Sequence, residues 1–548
     1  MKRIVGLLLV CILVVTLIPN NVVQAARKSD TNYSDFIRGA DISMLADVEE
    51  HGGKFYQNGK SQDALQIMSS SGCNYARIRL WVDPYDESGN SYGGGHNDLK
   101  TALALAKRAK SKGMKVLLDC HLSDWWADPG TQSKPKAWKN LSYSKLKSQV
   151  HDYMKSVMKS FKDAGLTPDM VQIGNEISSG VLWNDGKVGS GIDDFTQLGE
   201  LLESGIKGVR DVAGSSTKIV LHLDNGGSYS LYDWWFGSLM KVKPNLDFDI
   251  IGLTYYPMWH GTLEELQWNL NHITKAFNKD VCIVETAYAW TLSDGDGLGS
   301  SFSSADEKTA GYSASVQGQI DFMRDLETVV LSVPNNHGLG VFYWEPEWIP
   351  AKGAYWGNET GKKYIGDTGI LSNPWDNLTL FDFKGNALDS LSIFSQPKNN
   401  LISNPSFEVD NSETTSPSGW NIWLGNGTTT TTAQTKWNGY SGNYNLTFWE
   451  KQAYQASAYQ TIKGLPDGNY TLSAAIMSSG GQKTCQIYAK NYGGSEKNKA
   501  IPTSDTGWNI VKIDNIKVTN GQCEIGLYTI ANANNWVNID HVILRKVD

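Results

Sequence analysis

The sequence predicts an α/β chain in two parts, a (β/α)8 TIM barrel followed by an all-β jelly-roll sandwich. Three observations carry that reading. Between Asp30 and Phe394, short apolar runs ending in polar or aromatic residues recur eight times, with helical segments between them. The first run reads "GADIS", without the Gly-rich phosphate loop usual after the first strand of a doubly wound open sheet. From about Leu401 the pattern becomes short alternating segments split by Gly, Asn and Asp.

The eight candidate strands are 36–43, 74–82, 115–122, 170–177, 218–226, 249–257, 282–289 and 340–346. "DLKTALALAKRAKSKG" and "LSYSKLKSQVHDYMKSVMKSFKDAG" carry apolar residues at helical spacing and end on Gly113 and Gly165. The stretch after Ser395, "SQPKNNLISNPSFEVDNSETTSPSG", is polar and turn-rich. It divides a barrel at 26–394 from a sandwich at 401–548, with a linker at 395–400. A chain of 548 residues is expected to hold more than one domain.

The N-terminus has a basic start at Lys2 and Arg3, an apolar run from Ile4 to Ile18 and a small-residue cleavage pattern at Val23-Gln24-Ala25. This reads as a secretory signal peptide over 1–25, with an apolar run short for a membrane span. The expectation is a secreted, extracellular chain with no membrane anchor once the leader is removed. Loss of Lys2 and Arg3 takes the formal charge from -8 to -10, and that acidic balance argues against nucleic-acid binding. Of the remaining cysteines, Cys73, Cys120 and Cys282 sit in or beside apolar runs and read as buried thiols. Cys485 and Cys523 lie in strand-like segments, paired or free. No cysteine spacing resembles a zinc site. The chain has 20 Trp and 24 Tyr, a surplus that suits flat apolar ligands such as sugar rings as well as core packing.

In such a barrel the active site lies at the C-terminal strand ends. Glu176 ends the fourth candidate strand and Glu285 lies late in the seventh, across the mouth from it. Trp81, Trp125, Trp126, Trp290 and Trp344 fall nearby in the strand-end segments. Two facing carboxylates ringed by aromatics suit glycosidic bond cleavage: one protonates the leaving oxygen, the other attacks the anomeric carbon or activates water. Each acid also has a structural reading. Glu176 suits a helix N-terminus, and Glu285 suits an ion pair with Arg79.

The segments "GADIS", "RIRLWVDP", "DCHLSDWWADPGTQSKPKAW", "QIGNEI", "LHLDNG", "GLTYYPMWHGTL", "VETAYAWT" and "FYWEPEWIP" resemble, in order, those of glycoside hydrolase family 53. These are the arabinogalactan endo-β-1,4-galactanases of a large clan of retaining barrel enzymes. The resemblance implies a secreted hydrolase of β-1,4-galactan in type I arabinogalactan and pectin. It implies Glu176 as general acid/base, titrating high, and Glu285 as nucleophile, titrating low, with carboxyls about 5–5.5 Å apart. It implies that Asn175 bonds the sugar 2-hydroxyl and that Arg79 and Tyr255 hold the nucleophile ionised and aimed. His121, Asp124, Trp125 and His260 fall in its subsite walls, and Trp344 in its aromatic ring. Trp348 and Trp356 resemble its aromatic platforms. It implies no cofactor for catalysis, but a structural calcium at "LSDGDGLGSSFS", on Asp294, Asp296, the Leu298 carbonyl and Ser300. A solvated Gly-Asp turn is the alternative there.

The C-terminal segments "NNLISNPSFEVD" and "NANNWVNIDHVIL" resemble carbohydrate-binding modules, and beside this barrel the galactan-binding family 61 module. Its candidate sugar contacts are Trp423, Trp449, Asn535 and Trp536. The partner expected is a polysaccharide and the chain a monomer. The rival readings are another endo-glycanase of the clan, such as a mannanase or xylanase, and a carbohydrate-binding protein with an inactive barrel.

Overall fold

The computed structural model describes residues 35–366, 369–395, 401–410, 412–440 and 443–547. The expected leader at 1–25 lies outside the described residues, as does the expected linker apart from Ser395. Eight parallel strands close a barrel: β1 (Ile37–Asp41), β2 (Tyr75–Leu80), β3 (Lys115–Cys120), β4 (Met170–Ile173), β5 (Lys218–Leu223), β6 (Ile250–Thr254), β7 (Asp280–Thr286) and β8 (Gly338–Tyr343). Their order around the barrel is their order in sequence, with β8 paired to β1. Most stop short of the apolar runs that mark them. The fourth ends at Ile173, because Gly174 takes φ 78° and Glu176 φ 46°, both outside extended backbone.

The helices follow from spacing and caps. In α3 (Leu99–Ser111), Ala102, Leu105, Ala106 and Ala109 form the buried stripe, and Asp98 accepts from Thr101 N at the start. In α4 (Tyr143–Asp163) the stripe is Leu146, Val150, Met154, Val157, Met158 and Phe161. Its neighbour α5 (Thr196–Ala213) approaches so closely that a Cβ on Gly208 would stand 2.4 Å from His151 O. Short helices α1 (Leu45–Glu50) and α2 (Ala64–Ser70) lie between β1 and β2, α6 (Tyr229–Val242) and α7 (Leu263–Phe277) follow β5 and β6, and α8 (Ser304–Ala310) and α9 (Val316–Leu331) precede β8.

Two layers fill the barrel. Ile37, Tyr75, Leu117, Met170, Val220, Ile250, Cys282, Val284 and Phe342 form an apolar cluster. Higher on the same strand faces stand Asp41, Arg77, Asp119, Gln172, His222 and Thr254, all buried. Side chains alternate along a strand, so the inward set keeps one parity per strand. Apolar residues close the base and polar ones face the mouth.

The C-terminal part is two five-stranded antiparallel sheets. Its strands are β9 (Asn421–Leu424), β10 (Ala433–Trp437), β11 (Tyr444–Trp449), β12 (Tyr454–Lys463), β13 (Gly468–Ser478), β14 (Thr484–Lys490), β15 (Lys497–Ala500), β16 (Ser504–Val518), β17 (Gln522–Ala531) and β18 (Trp536–Val547). One sheet runs β9-β12-β17-β14-β15 and the other β10-β11-β18-β13-β16. Phe407, Leu446, Phe448, Tyr470, Leu472, Ile476, Ile525, Leu527, Val537 and Ile539 form the core. Cys485 and Cys523 are both free thiols, as are the buried Cys73, Cys120 and Cys282. Cys485 pairs in register with Thr529, and Cys523 with Ile462.

Asp325 of α9 joins the two parts. Its carboxylate accepts from Lys512 Nζ at 3.0 Å, Arg545 Nη2 at 2.9 Å and the Tyr312 hydroxyl at 2.9 Å. Burial would push this acid up, but Arg545 and Lys512 hold it below its ordinary value.

Candidate active site

Glu285 reaches the barrel mouth through a register shift. Cys282 and Val284 belong to the interior cluster, while Ile283 packs in the outer core. Strict alternation would send Glu285 outward. The β7 ladder slips at Thr254/Glu285 and again between Ile283 and Thr286, and a bulge of this kind re-aims the side chain. Its Oε1 accepts from the Tyr256 hydroxyl at 2.9 Å, and its Oε2 lies 3.4 Å from Arg77 Nη1. Arg77 is itself buried, with Nη1 2.7 Å from Asp41 Oδ2 and Nη2 2.8 Å from both Asp119 Oδ2 and Asn175 Oδ1. Asp119, which burial would push up, is held below its ordinary value by Arg77 and His121.

Glu176 stands where the chain turns into a 3-10 segment (Ile177–Ser179). Its Oε1 accepts from Thr254 Oγ1 at 2.6 Å. Thr254 Oγ1 lies 2.7 Å from His222 Nε2, an arrangement satisfied by the Nε2–H tautomer. Burial, with Arg77 nearby, lowers the His222 pKa well below normal and keeps the ring neutral. One oxygen of each acid and a ring nitrogen of His222 all lie within 4.8 Å of one another. Glu176 is raised well above its ordinary value by burial and by Glu285. Glu285 is raised too, by burial, to about 7, against the pull of Arg77 and Tyr256. Glu285 was expected to titrate low, and burial raises it instead.

The positions expected to hold the nucleophile shift along the chain. Arg79 lies one pleat above Arg77 and pairs with Glu345 Oε1 at 3.1 Å. The Tyr255 hydroxyl donates to Gly261 O, and its ring packs toward Phe322. Arg77 and Tyr256 occupy the places expected for Arg79 and Tyr255. Parity was the available signal for the tyrosine: Tyr256 shares the face of Gly252 and Thr254, whereas Tyr255 does not.

The expected subsite walls lie partly behind the surface. His121 is buried, with Nδ1 accepting from Trp81 Nε1 and Ala127 N and Nε2 3.1 Å from Asp119. Asp124 is fully buried and accepts from Asp83 N and Lys136 N, so it braces two loops. Trp125 is buried beside Trp81. Trp348 is fully buried, its indole donating to Ala354 O, and is no exposed platform. It backs Trp356, which stacks on Trp126 at 4.2 Å and 15°. Trp344 stands within 6.1 Å of both. Asn175 joins the Arg77 network and donates to Ala127 O. His260 accepts from Tyr256 N at 3.1 Å, and burial lowers it to about 4. Trp259, which sequence reasoning passed over, is 47% exposed against Tyr256 and Trp375.

The profile of Glycosyl hydrolase family 53 matches residues 37–394. The chain belongs to that family. It is 37% identical over 400 residues to the endo-beta-1,4-galactanase of Bacillus subtilis, covering 69% of this chain and 89% of that one. It is 38% identical over 319 residues to arabinogalactan endo-beta-1,4-galactanase A of Aspergillus niger, covering 57% and 85%. Among solved structures, the GH53 catalytic domain of Ignisphaera aggregans aligns with a TM-score of 0.62 and 43% identity over 66% of this chain and 96% of that one. As a member of family 53 the chain is a glycoside hydrolase.

Two further groups bear on the expectations. Asp294 and Asp296 in the loop after β7 and Asp376 in the segment after β8 bring carboxylate oxygens within 4.8 Å of one another. Asp294 accepts from Gly297 N and Gly299 N, Asp376 from Gly295 N, and Ser300 Oγ donates to Asp376 Oδ1 at 3.1 Å. Burial, with both neighbouring acids, raises Asp376 to about 6. Three converging hard oxygens fit a calcium ion. Asp376 was missed because it comes from a separate loop, and Leu298 is exposed by 49%.

On the β10-β11-β18-β13 face of the sandwich, Trp437, Asn445, Trp449, Trp536 and Asn538 line a cleft. Trp449 and Trp536 are register partners across β11 and β18. Asn538 Oδ1 is buried there without a hydrogen-bond partner among the described residues. Two expected contacts fall outside the cleft. Trp423 sits on the other sheet beside Tyr528, and Asn535 closes a turn by accepting from Asn532 N. Trp437, 59% exposed, was missed.

Proposed function

We propose that this chain is a secreted endo-β-1,4-galactanase that cuts galactan of type I arabinogalactan and pectin by a retaining double displacement. The observation that carries the reading is the Glu176–Glu285 pair in a chain 37% identical to a Bacillus subtilis endo-beta-1,4-galactanase. Oxygens within 4.8 Å favour the short-separation class, in which one carboxylate attacks carbon directly.

Glu285 attacks the anomeric carbon while Glu176 gives its proton to the departing glycosidic oxygen. The glycosyl-enzyme ester then neutralises Glu285. Glu176, now basic, takes a proton from water as that water attacks the anomeric carbon and breaks its bond to Glu285, which leaves as the carboxylate. Thr254 and His222 fix Glu176 Oε1, which leaves Oε2 for the proton. Arg77 and Tyr256 stabilise the ionised form of Glu285. The exposed Trp259 and the half-buried Trp356 supply apolar surface for sugar rings, with Trp126, Trp344 and Trp348 packed behind Trp356.

The signal-like N-terminus supports secretion, and no helix among the described residues is long and apolar enough to cross a membrane. The β10-β11 cleft supports a galactan-binding module, with Trp437, Trp449 and Trp536 as stacking faces and Asn445 and Asn538 as hydroxyl readers. Calcium on Asp294, Asp296 and Asp376 would brace the β7 loop and take no part in the chemistry. The working unit proposed is a monomer.

The test is digestion of β-1,4-galactan, xylan and mannan by wild type and Glu285→Gln, with NMR of the first-formed product anomer. The reading predicts galactan cleavage with β product and an inactive variant. Cleavage of xylan or mannan alone would overturn the substrate, α product the mechanism, and an active variant the site.

A further inference from the structure

Away from the cleft, α1 and the β2–α3 loop bring together a histidine and two acids with no structural role yet assigned. Asp47 and Glu50 lie one turn apart on α1, and His96 comes from the loop. One ligand atom from each, all within 4.8 Å of one another, can be drawn from the three side chains. We propose that Asp47, Glu50 and His96 form a zinc site that pins the β2–α3 loop to α1.

The side chains are placed but only partly satisfied: the Asp47 carboxylate takes the Gly95 backbone N–H and lies beside His51, while its second oxygen and the His96 ring have no hydrogen bond among the described residues. His96 Nδ1 lies 3.9 Å from Asp47 Oδ1, and Nε2 lies 3.8 Å from Glu50 Oε2. Both separations exceed hydrogen-bond range. The His96 side chain is only 19% exposed, yet its ring makes no hydrogen bond to any described residue. Asp47 Oδ2 is likewise buried without a partner. Polar groups this enclosed are costly when left unpaired, and a cation between them satisfies both. His51 is an orienting neighbour, its Nδ1 2.9 Å from Asp47 O and 3.3 Å from Asp47 Oδ1.

The donor set selects the metal. One imidazole nitrogen with two carboxylate oxygens suits zinc, which keeps a fourth position for water. Calcium prefers an all-oxygen shell. Zinc ligands at about 2.0–2.2 Å stand roughly 3.3–3.6 Å apart in a tetrahedron, so a single His96 nitrogen and the two carboxylates close in from separations of up to 4.8 Å. Glu50, whose side chain is 62% exposed, is free to make the largest movement.

The loop is otherwise fixed by the Gly95 backbone N–H on the Asp47 carboxylate, by Asn97 Nδ2 donating to Ser43 O at 2.8 Å and by Arg79 Nη2 donating to Gly94 O at 2.9 Å. A Cβ on Gly94 would meet Trp356 O, Trp126 Nε1 and Trp81 within 3.0 Å. The ion would therefore stiffen the loop that backs the Trp126–Trp356 stack.

The experiment is equilibrium dialysis of the EDTA-treated full chain against zinc chloride, with metal quantified and thermal unfolding followed in parallel. Wild type and Asp296→Asn should each hold one zinc at this site, and zinc should raise their melting temperature. His96→Ala should weaken uptake roughly 10- to 100-fold or more and abolish the thermal response. Glu50→Gln, on an exposed side chain, should weaken uptake without disturbing the fold, and it carries the test if His96→Ala misfolds. No uptake by wild type overturns the proposal. So does wild-type uptake by Glu50→Gln or by a folded His96→Ala. Loss of zinc in Glu176→Gln instead would assign the ion to the active-site cluster and overturn it too.

Discussion

Tyr256 donates its hydroxyl hydrogen to Glu285 Oε1 across 2.9 Å. The bond favours the ionised carboxylate, in a site where burial raises the acid to about 7. Tyr256→Phe removes the donor, so Glu285 should titrate higher. The acidic limb of kcat/KM should move upward by about 1 pH unit, with a fall of about 5-fold at its former midpoint. A pH–rate profile checks this, and an unmoved limb would remove Tyr256 from the role.

Arg77 bridges the buried carboxylates of Asp41 and Asp119. Arg77→Met should cost about 3–5 kcal/mol at neutral pH, because it leaves buried carboxylates uncompensated. Asp119 has a depressed pKa in the fold. Its contribution is therefore present above the unfolded value of about 3.9 and is lost as pH falls through the lower folded value. The penalty, read from denaturant unfolding, should shrink toward acid pH.

The two site acids work in the opposite direction. Both are raised in the fold, so the folded state binds more protons than the unfolded one above the ordinary carboxylate range. Stability contributed by these groups falls as pH rises through that range toward 7. Glu285→Gln should then be more stable than wild type at pH 7, by on the order of 2 kcal/mol, and lose the advantage near pH 4. Calorimetry at the two pH values decides it, and an equal difference at both would contradict the shift.

Calcium removal should lower the melting temperature. An ion held at 100 times its dissociation constant adds about 2.7 kcal/mol. Asp376→Asn should lose that response to chelator and calcium, while Ser300→Ala keeps most of it. A chelator response unchanged in Asp376→Asn would place the ion elsewhere.

Trp437→Ala and Trp449→Ala should each weaken retention on galactan about 10-fold or more, leaving hydrolysis of short soluble oligosaccharides near wild type. Trp423→Ala should bind as wild type, since that ring sits on the other sheet. Affinity electrophoresis in galactan separates the three.

Much of this protein was legible in order along the chain. Apolar runs of strand length, separated by helical periodicity, locate all eight barrel strands. The change to alternating segments near 401 locates the sandwich, although β9, β10, β11 and β15 are too short or too polar to stand out. Arg79 and Arg77 share a strand face, so sequence alone does not say which is level with Glu285. The β7 bulge sets that level. Trp348 and Trp356 read alike as aromatic platforms, and packing decides that the first is buried behind the second. Asp376, Trp437 and Asn538 join their sites from distant loops and strands, so no local spacing announced them.

The sequence by itself determined the barrel, the sandwich and the two acids at the strand ends, because periodicity and strand termini are local properties of the chain. Only the tertiary structure decided which cation and which tyrosine hold Glu285, that burial raises both acids, and that a third aspartate joins Asp294 and Asp296 from a separate segment. Those outcomes depend on height, burial and distance between residues far apart in sequence. They arise from closing eight strands around one mouth.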